Sequence, residues 1–347
     1  MTDIRTTVVV VPREQFRVTR PALESICAHT ALPYKLVYVD GGSPPSTRRY
    51  LQARSRQRGF SLVRTDHYLS PTEARALALP HVDTEYVCFI DNDVVVTPGW
   101  LDRLVECADE TEAWAVGPLY CNENPALGII HMAGGLAHIR ENNGRRAFYE
   151  EHRFPQQLVT EVQDHLRREP TELVEYHCML LRSETFDKFG HQDPRYLSCA
   201  ESLNICLQLR DAGYPVYLEP AALVSNQQPP PFLWSDLPYF LLRWSDAWNR
   251  ISLACFRERW DIPADDWWIG DHYRWLTGHR RLAWEWVAKK TQRRLGWRRS
   301  GKLASLIVES IGRRGVRRDL RRRPELRAYE RNAPSPPVTR PRTAGRP

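Results

Sequence analysis

The chain has 347 residues, 42% hydrophobic and 26% charged, ordinary for a water-soluble protein and enough for a sizeable core in one or two domains. No apolar run approaches the roughly 18–20 residues of a membrane span. The start of the chain lacks the charged, apolar, small-residue order of a secretion signal, so the expected compartment is the cytoplasm. Eight scattered cysteines make no Cys-x-x-Cys pair, which speaks against a disulfide framework and a structural zinc site and for a reducing compartment. The net charge of +7 conceals an asymmetry: residues 289–347 carry 19 Lys/Arg against 4 Asp/Glu, and the rest of the chain is mildly acidic.

In chain order, Thr6–Val11 is a β-branched run closed by Pro12 and reads as a strand. Residues 18–30 read as a helix with Pro21 in its first turn. Residues 36–39 form the next strand, which ends in Asp40-Gly-Gly-Ser-Pro-Pro. An acid at the carboxyl end of a strand suits a nucleoside contact and equally suits an ordinary turn. A polar, Arg-rich helix over 47–57 and a short strand over 61–64 follow. Ser70 and Pro71 then have the chemistry of an N-cap and a first helical residue. Alternating strands and helices predict βαβ units and a mostly parallel sheet.

Residues 86–90 are an apolar, aromatic and β-branched run, expected to be a buried central strand. Two carboxylates follow at Asp91-Asn92-Asp93. On extended backbone the i and i+2 side chains share a face. Both acids can therefore meet one hard cation, and Mg²⁺ and Mn²⁺ favour carboxylate oxygens and substrate phosphates. Asp and Asn also end strands for purely structural reasons. The apolar residues Val94, Val95 and Val96 after the second acid argue that the chain does not simply turn into solvent.

The segments 7–12, 36–43, 71–79 and 89–101 together resemble glycosyltransferase family 2, the GT-A nucleotide-sugar transferases. So do Gly128-Ile-Ile-His-Met-Ala-Gly-Gly, residues 178–190 and residues 201–220. The resemblance implies an α/β GT-A fold with a Rossmann-like, mostly parallel central sheet flanked by helices. It implies that Pro12, Glu14 and Asn92 lie beside the nucleotide sugar and that Asp40 hydrogen-bonds the base, most commonly the uracil of a UDP-sugar. Arg75 would approach the ribose or diphosphate, Asp91 the ribose or the metal, and Asp93 would hold Mn²⁺ or Mg²⁺. The family's usual Glu-Asp pair at a later helix opening, whose Asp is the acceptor base, is here Glu201-Ser202. Glu201 is the carboxylate left for that role, although an acid there also serves as a helix cap. Asn226 stands near where the family often carries a metal-binding His. His131, beside apolar residues, reads as a packed core residue.

Residues 140–152 are polar and charged and read as a mobile loop over the site or as a solvated surface segment. Ten of the twelve tryptophans lie after residue 233. They predict an aromatic-rich C-terminal helical appendage whose aromatics pack against a core, with sugar stacking and membrane anchoring as the other uses of such rings. The expected divisions are a GT-A domain over 1–228, the helical appendage over 229–312 and a basic, disordered tail over 313–347. The tail suits peripheral contact with an anionic membrane face and hence a glycan or lipid-linked acceptor; no nucleic acid is expected. The expected function is metal-dependent, inverting glycosyl transfer from a nucleotide-diphosphate sugar to a hydroxyl. The alternative is a catalytically degenerate nucleotide-sugar-binding scaffold in glycan assembly, which the Ser202 and Asn204 departures favour.

Overall fold

A computed structural model describes residues 4–123, 125–142, 144–226 and 232–332. In chain order the elements are β1 (Thr6–Val11), α1 (Thr19–His29), β2 (Tyr34–Gly41), α2 (Pro45–Arg58), β3 (Ser61–Thr65), α3 (Pro71–Ala78), β4 (Tyr86–Asp91), β5 (Val94–Val96) and α4 (Trp100–Thr111). Next come β6 (Ala115–Asn122), β7 (Ile129–Met132), β8 (Gly135–Asn142), β9 (Arg145–His152), α5 (Val159–Val162), β10 (Glu169–Pro170), β11 (Cys178–Arg182), α6 (Glu184–Phe189), α7 (Glu201–Asp211) and β12 (Val216–Asn226). The chain ends in helices α8 (Leu237–Arg243), α9 (Asp246–Trp260), α10 (Trp267–Gly278), α11 (Arg280–Arg322) and α12 (Pro324–Asn332). It divides into two compact units, one of residues 1–138, 150–194 and 200–240, the other of residues 139–149, 195–199 and 241–347.

The first unit is built on one sheet in the order β10-β12-β6-β11-β4-β1-β2-β3. Its β4-β1-β2-β3 half is parallel, as the βαβ alternation predicts. The other half is mixed: β11 runs antiparallel to β4 and β6, whereas β12 runs parallel to β6. Val8, Val9, Val10 and Val11 are all buried, as is every residue of β4. Strands covered on both faces must be apolar throughout, and each buried valine stabilises the fold by about 1.5–3 kcal/mol. Ser70 caps α3 in a reciprocal capping box with Glu73, with Pro71 at its first turn. Residues 140–152 belong to the two-stranded β8–β9 ribbon and not to a loop, and Phe148 of β9 is buried.

In the second unit, Trp248 is fully buried and its indole N–H donates to Asp319 at 2.8 Å; Asp319 also pairs with Arg323 at 3.0 Å. Phe148 packs edge-on against Trp268 and Phe256, with centroids 4.7 and 5.0 Å apart. Tryptophans 244, 248, 260, 268 and 286 are thus packing residues, whereas Trp267, Trp275 and Trp297 are more than half exposed. Residues 313–332 are helical, which corrects the expected disorder of that stretch. Burial of Asp319, Leu320, Arg323 and Leu326 supplies the tertiary contacts that a charge-rich sequence does not advertise. Gly296, at φ 70° and ψ 165°, breaks α11 into two helical stretches. The expected boundary at 228/229 and residues 333–347 lie outside the described residues. No helix among the described residues is long and apolar enough to cross a membrane.

Candidate active site

The site forms where the parallel strands end. Val11 of β1 pairs in register with Asp91 of β4, and the Asp91 N–H donates to the His177 carbonyl at 3.1 Å. Asp91, Asn92 and Asp93 are all at most 2% exposed. Asn92 binds its surroundings through its backbone N–H and both side-chain polar atoms. Its backbone N–H donates to Val11 O at 2.9 Å, and its Oδ1 accepts from the Arg13 N–H at 3.1 Å. Its Nδ2 donates to Gln15 O at 2.7 Å and to Thr19 Oγ1 at 3.2 Å. These bonds give Asn92 a positioning role: it folds the 12–15 loop over the strand ends. Pro12 is held from another side, because the Tyr239 hydroxyl lies 3.1 Å from the Pro12 carbonyl and 2.9 Å from that of Leu69. Phe16, Tyr68 and Tyr239 stack at 5.0–6.3 Å around this loop.

The loop brings Arg13 to the paired acids, a residue that sequence reasoning missed. Its guanidinium lies 3.6 Å from Asp91 Oδ2 and 3.7 Å from Asp93 Oδ2. Those are ion-pair distances too long for hydrogen bonds. Asp93 Oδ1, Asp93 Oδ2 and Asp91 Oδ1 are buried without a hydrogen-bond partner. A buried carboxylate in that condition is costly unless a cation completes it. Three such oxygens at one strand end fit the all-oxygen donor set of Mg²⁺ or Mn²⁺. Burial, with the like charges of Asp91 and Glu14 outweighing Arg13, pushes the Asp93 carboxyl up to about 7. Burial also acts on Asp91, but the His177 hydrogen bond, at 2.7 Å, and the charges of His177, Arg13 and Arg75 hold it below the usual range. Asn226 Oδ1 is buried and unpartnered as well, on the strand residue paired with Val94.

The other expected residues line the same sheet edge. Asp40, at the end of β2, accepts from the Ser43 N–H at 3.0 Å and the Ser43 hydroxyl at 2.9 Å, and pairs with Arg64. Its turn-forming role is thus realised, and a base would use its remaining acceptor capacity. Glu14 is 7% exposed beside Arg13. Arg75, on α3, lies 3.7 Å from Glu201 Oε1 and its guanidinium covers the Tyr176 ring at 3.9 Å. Its Nε and Nη1 are buried without partners. Glu201 opens α7 behind Ala200, which sits in the left-handed region at φ 68°. The Ser202 hydroxyl accepts from the Tyr176 N–H at 3.1 Å, a backbone brace in place of the expected carboxylate.

The structure also gathers histidines that the sequence left apart. His131, expected as a packed, hydrogen-bonded residue, meets the Tyr120 ring edge-on, has its Nε2 3.0 Å from Glu175 Oε2 and keeps its side chain a quarter exposed. His177 reaches the same oxygen with Nε2 at 3.5 Å. His152 Nε2 lies 3.3 Å from Glu150 and 4.0 Å from Glu175 Oε1. Burial opposes protonation of His152, but its acidic partners raise its pKa to about 9. Glu175-x-His177, two residues apart ahead of a strand, was the available sequence signal for this cluster.

A carboxyl with an ordinary pKa near 4 when unfolded and about 7 when folded binds its proton more tightly in the native state. Its contribution to stability therefore falls as pH rises through that window. In chelator, Asp93→Asn is expected to gain on the order of 2–3 kcal/mol relative to the unsubstituted chain between pH 5 and pH 8. Denaturant titration at the two pH values measures this. A difference that does not change with pH would contradict the charge balance described for Asp93.

Three comparisons bear on this geometry. The family model described as glycosyl transferase family 2 matches residues 7–188. An O-antigen biosynthesis protein, RfbC of Myxococcus xanthus, is 26% identical over 213 residues, 60% of this chain and 16% of the relative, so the match spans about a sixth of that protein. Among solved structures, GalNAc-T7 with UDP, GalNAc and Mn²⁺ aligns at a TM-score of 0.51 and 16% identity, over 84% of this chain and 57% of that one. A mannosyltransferase from Pyrobaculum calidifontis, in complex with GDP-Man and Mn²⁺, aligns at 0.49 and 13% identity over 96% of this chain and 86% of its own. With more than half of its residues matched by the family model, on a mixed sheet that gathers acids at the ends of its parallel strands, the chain belongs to glycosyl transferase family 2.

Proposed function

We propose that the chain transfers a sugar, with inversion, from a nucleotide-diphosphate donor, a UDP-sugar above all, to a hydroxyl acceptor, and that the reaction depends on a divalent cation held by Asp91 and Asp93. The observation that carries this reading is the set of three buried, unpartnered carboxylate oxygens at the end of β4 and the turn after it. Bound there, Mn²⁺ or Mg²⁺ supplies positive charge against the diphosphate as it leaves. Asp40 and Glu14 flank the nucleoside side of the crevice, and Pro12 shapes it through the loop that Asn92 and Tyr239 fix. Arg13 balances the paired acids before donor arrives.

Arg75 joins the two halves of the reaction. Its two unpartnered N–H groups suit the donor's phosphate oxygens. Once they engage phosphate, Glu201 at 3.7 Å is released from its ion pair to accept the proton of the acceptor hydroxyl. The attacking oxygen forms its bond to the anomeric carbon on the face opposite the departing diphosphate.

Glu201→Gln is expected to retain UDP-sugar binding within about threefold while transfer falls at least about 100-fold, the scale of a lost general base. Asp93→Ala is expected to lose cation-dependent donor turnover altogether. A second reading is favoured by Ser202, whose hydroxyl braces the backbone of Tyr176 where a base is expected. It makes the chain a non-catalytic nucleotide-sugar scaffold. Donor binding with no transfer or donor hydrolysis, across UDP-, GDP- and dTDP-sugars with Mn²⁺, would establish that reading and remove the first.

The acceptor we infer is a glycan or lipid-linked saccharide; the O-antigen name of the relative and the basic C-terminal helices support it. Within the second unit a cavity of about 550 Å³ is lined by Arg280, Arg313, Arg317, Arg321 and Arg327, against Asp246 and Glu330. A surface of that charge suits the headgroups of an anionic leaflet. The full chain is expected to sediment with vesicles containing 30–40% anionic lipid (about 1 kcal/mol per engaged arginine) and to be released by salt. The double variant Arg317→Glu/Arg321→Glu should stay in the supernatant. Equal sedimentation of both proteins would contradict peripheral binding through this face.

A further inference from the structure

Beside the paired acids lies a second donor set of different chemistry. One ring nitrogen each of His131 and His177 and a Glu175 carboxylate oxygen all lie within 4.8 Å of one another. The two imidazoles converge on one oxygen, Glu175 Oε2, at 3.0 and 3.5 Å. Metal–ligand bonds of about 2.0–2.2 Å place neighbouring donors roughly 3–4 Å apart, so the set needs closing by at most about 2 Å to hold an ion.

Three further observations point to a ligand. His177 is oriented from behind: its Nδ1 sits 2.7 Å from Asp91 Oδ2. An N–H donated there leaves the Nε2 lone pair facing Glu175 and His131, the carboxylate–histidine arrangement that orients a metal-binding imidazole. Both rings are packed in place by Tyr120, which stacks on His177 at 4.8 Å and 13° and meets His131 edge-on at 5.0 Å. The Tyr120 hydroxyl is buried and has no hydrogen-bond partner, in a side chain 3% exposed. It lies in the field of Asp91, Asp93 and Glu175, whose charges act on it with that of Arg13. An orphaned hydroxyl there suits a water or substrate oxygen completing the coordination of an ion. The donor side chains remain 16–25% exposed, so an ion has access from solvent.

We propose that His131, Glu175 and His177 form a second divalent-cation site, selective for zinc-class transition metals, distinct from the all-oxygen site at Asp91 and Asp93. Two imidazole nitrogens and one carboxylate oxygen form a donor set suited to Zn²⁺, Co²⁺ or Ni²⁺, whereas Mg²⁺ favours oxygens alone. Three protein ligands leave open positions for water or a substrate oxygen, as in catalytic rather than structural zinc sites. His152, 4.0 Å from the other Glu175 oxygen, stands next to the set. His177 couples the two sites, because its far nitrogen binds the carboxylate of Asp91. The proposal depends on these side chains alone and not on the donor or the reaction.

The test is Co²⁺ titration of the chelator-treated full chain, read by visible d–d absorption and by calorimetric stoichiometry. Mn²⁺ binding is followed in parallel by electron paramagnetic resonance. The unsubstituted chain is expected to show a Co²⁺ spectrum with imidazole ligation, and excess Mg²⁺ should not displace it. His131→Ala should weaken Co²⁺ binding at least about tenfold, the loss that disturbing even an outer partner of a metal ligand can cause. It should leave Mn²⁺ binding and the circular dichroism spectrum unchanged. If His131→Ala alters the fold, His131→Gln, which keeps the hydrogen bond to Glu175, is used in its place. Absence of a Co²⁺ spectrum would overturn the proposal. So would Co²⁺ binding that survives the His131 substitution and is abolished by Asp93→Asn, because a single cation would then sit on the acids.

Discussion

The organising constraint is negative charge buried at the end of a parallel sheet. Asp91 and Asp93 are carried out of water by strands covered on both faces, and a single arginine at 3.6–3.7 Å faces the pair. Removing a carboxylate from water costs several kcal/mol, which ion pairs and hydrogen bonds offset only when geometry is good. Here it is good for Asp91, which His177 binds, and poor for Asp93. The surroundings are built to tolerate that imbalance: Asn92 ties the 12–15 loop to the strand ends, and Tyr239 holds the same loop from the other side. Under the proposed function, a divalent cation would complete such a site.

The residues around the acids fall into two chemical neighbourhoods. On one side Arg75 links Tyr176 and Glu201, the carboxylate at the opening of α7. On the other, Glu175 collects imidazoles, with His177 shared between it and Asp91. Oxygen donors and nitrogen donors are thus separated by one histidine ring. Charge arriving on either side is felt on the other through His177 and Arg75, both of which act on Asp91.

Much of this was legible in the chain. The β-branched runs of β1 and β4 announce fully buried parallel strands because nothing else packs there, and Ser70-Pro71 announces α3 through cap chemistry. The acids at 91 and 93 could be read because they follow a buried apolar run, although β4 ends at Asp91 and Asp93 lies in the turn after it. Arg13 was not legible: it sits on a loop whose course is set by Asn92, a long-range partner, and not by local pattern. The partner of His131 was not legible for the same reason, since Glu175 lies 44 positions away. The mixed half of the sheet escaped notice because β5, β7 and β10 are only two to four residues long. The helices over 313–332 escaped because their stability comes from tertiary burial at positions such as Leu320 and Leu326 within an arginine-rich composition.

The central claim is that the buried acids hold a divalent cation that a nucleoside diphosphate then shares. Equilibrium titration with Mn²⁺, following the free-ion paramagnetic resonance signal with and without UDP, tests it most directly. The account predicts one ion at the Asp91–Asp93 site, bound at least about tenfold more tightly when UDP is present, because substrate phosphates complete the coordination of such ions. It also predicts that Asp93→Asn loses both the ion and the enhancement. Mn²⁺ binding that is indifferent to UDP, or that persists unchanged in Asp93→Asn, would contradict it.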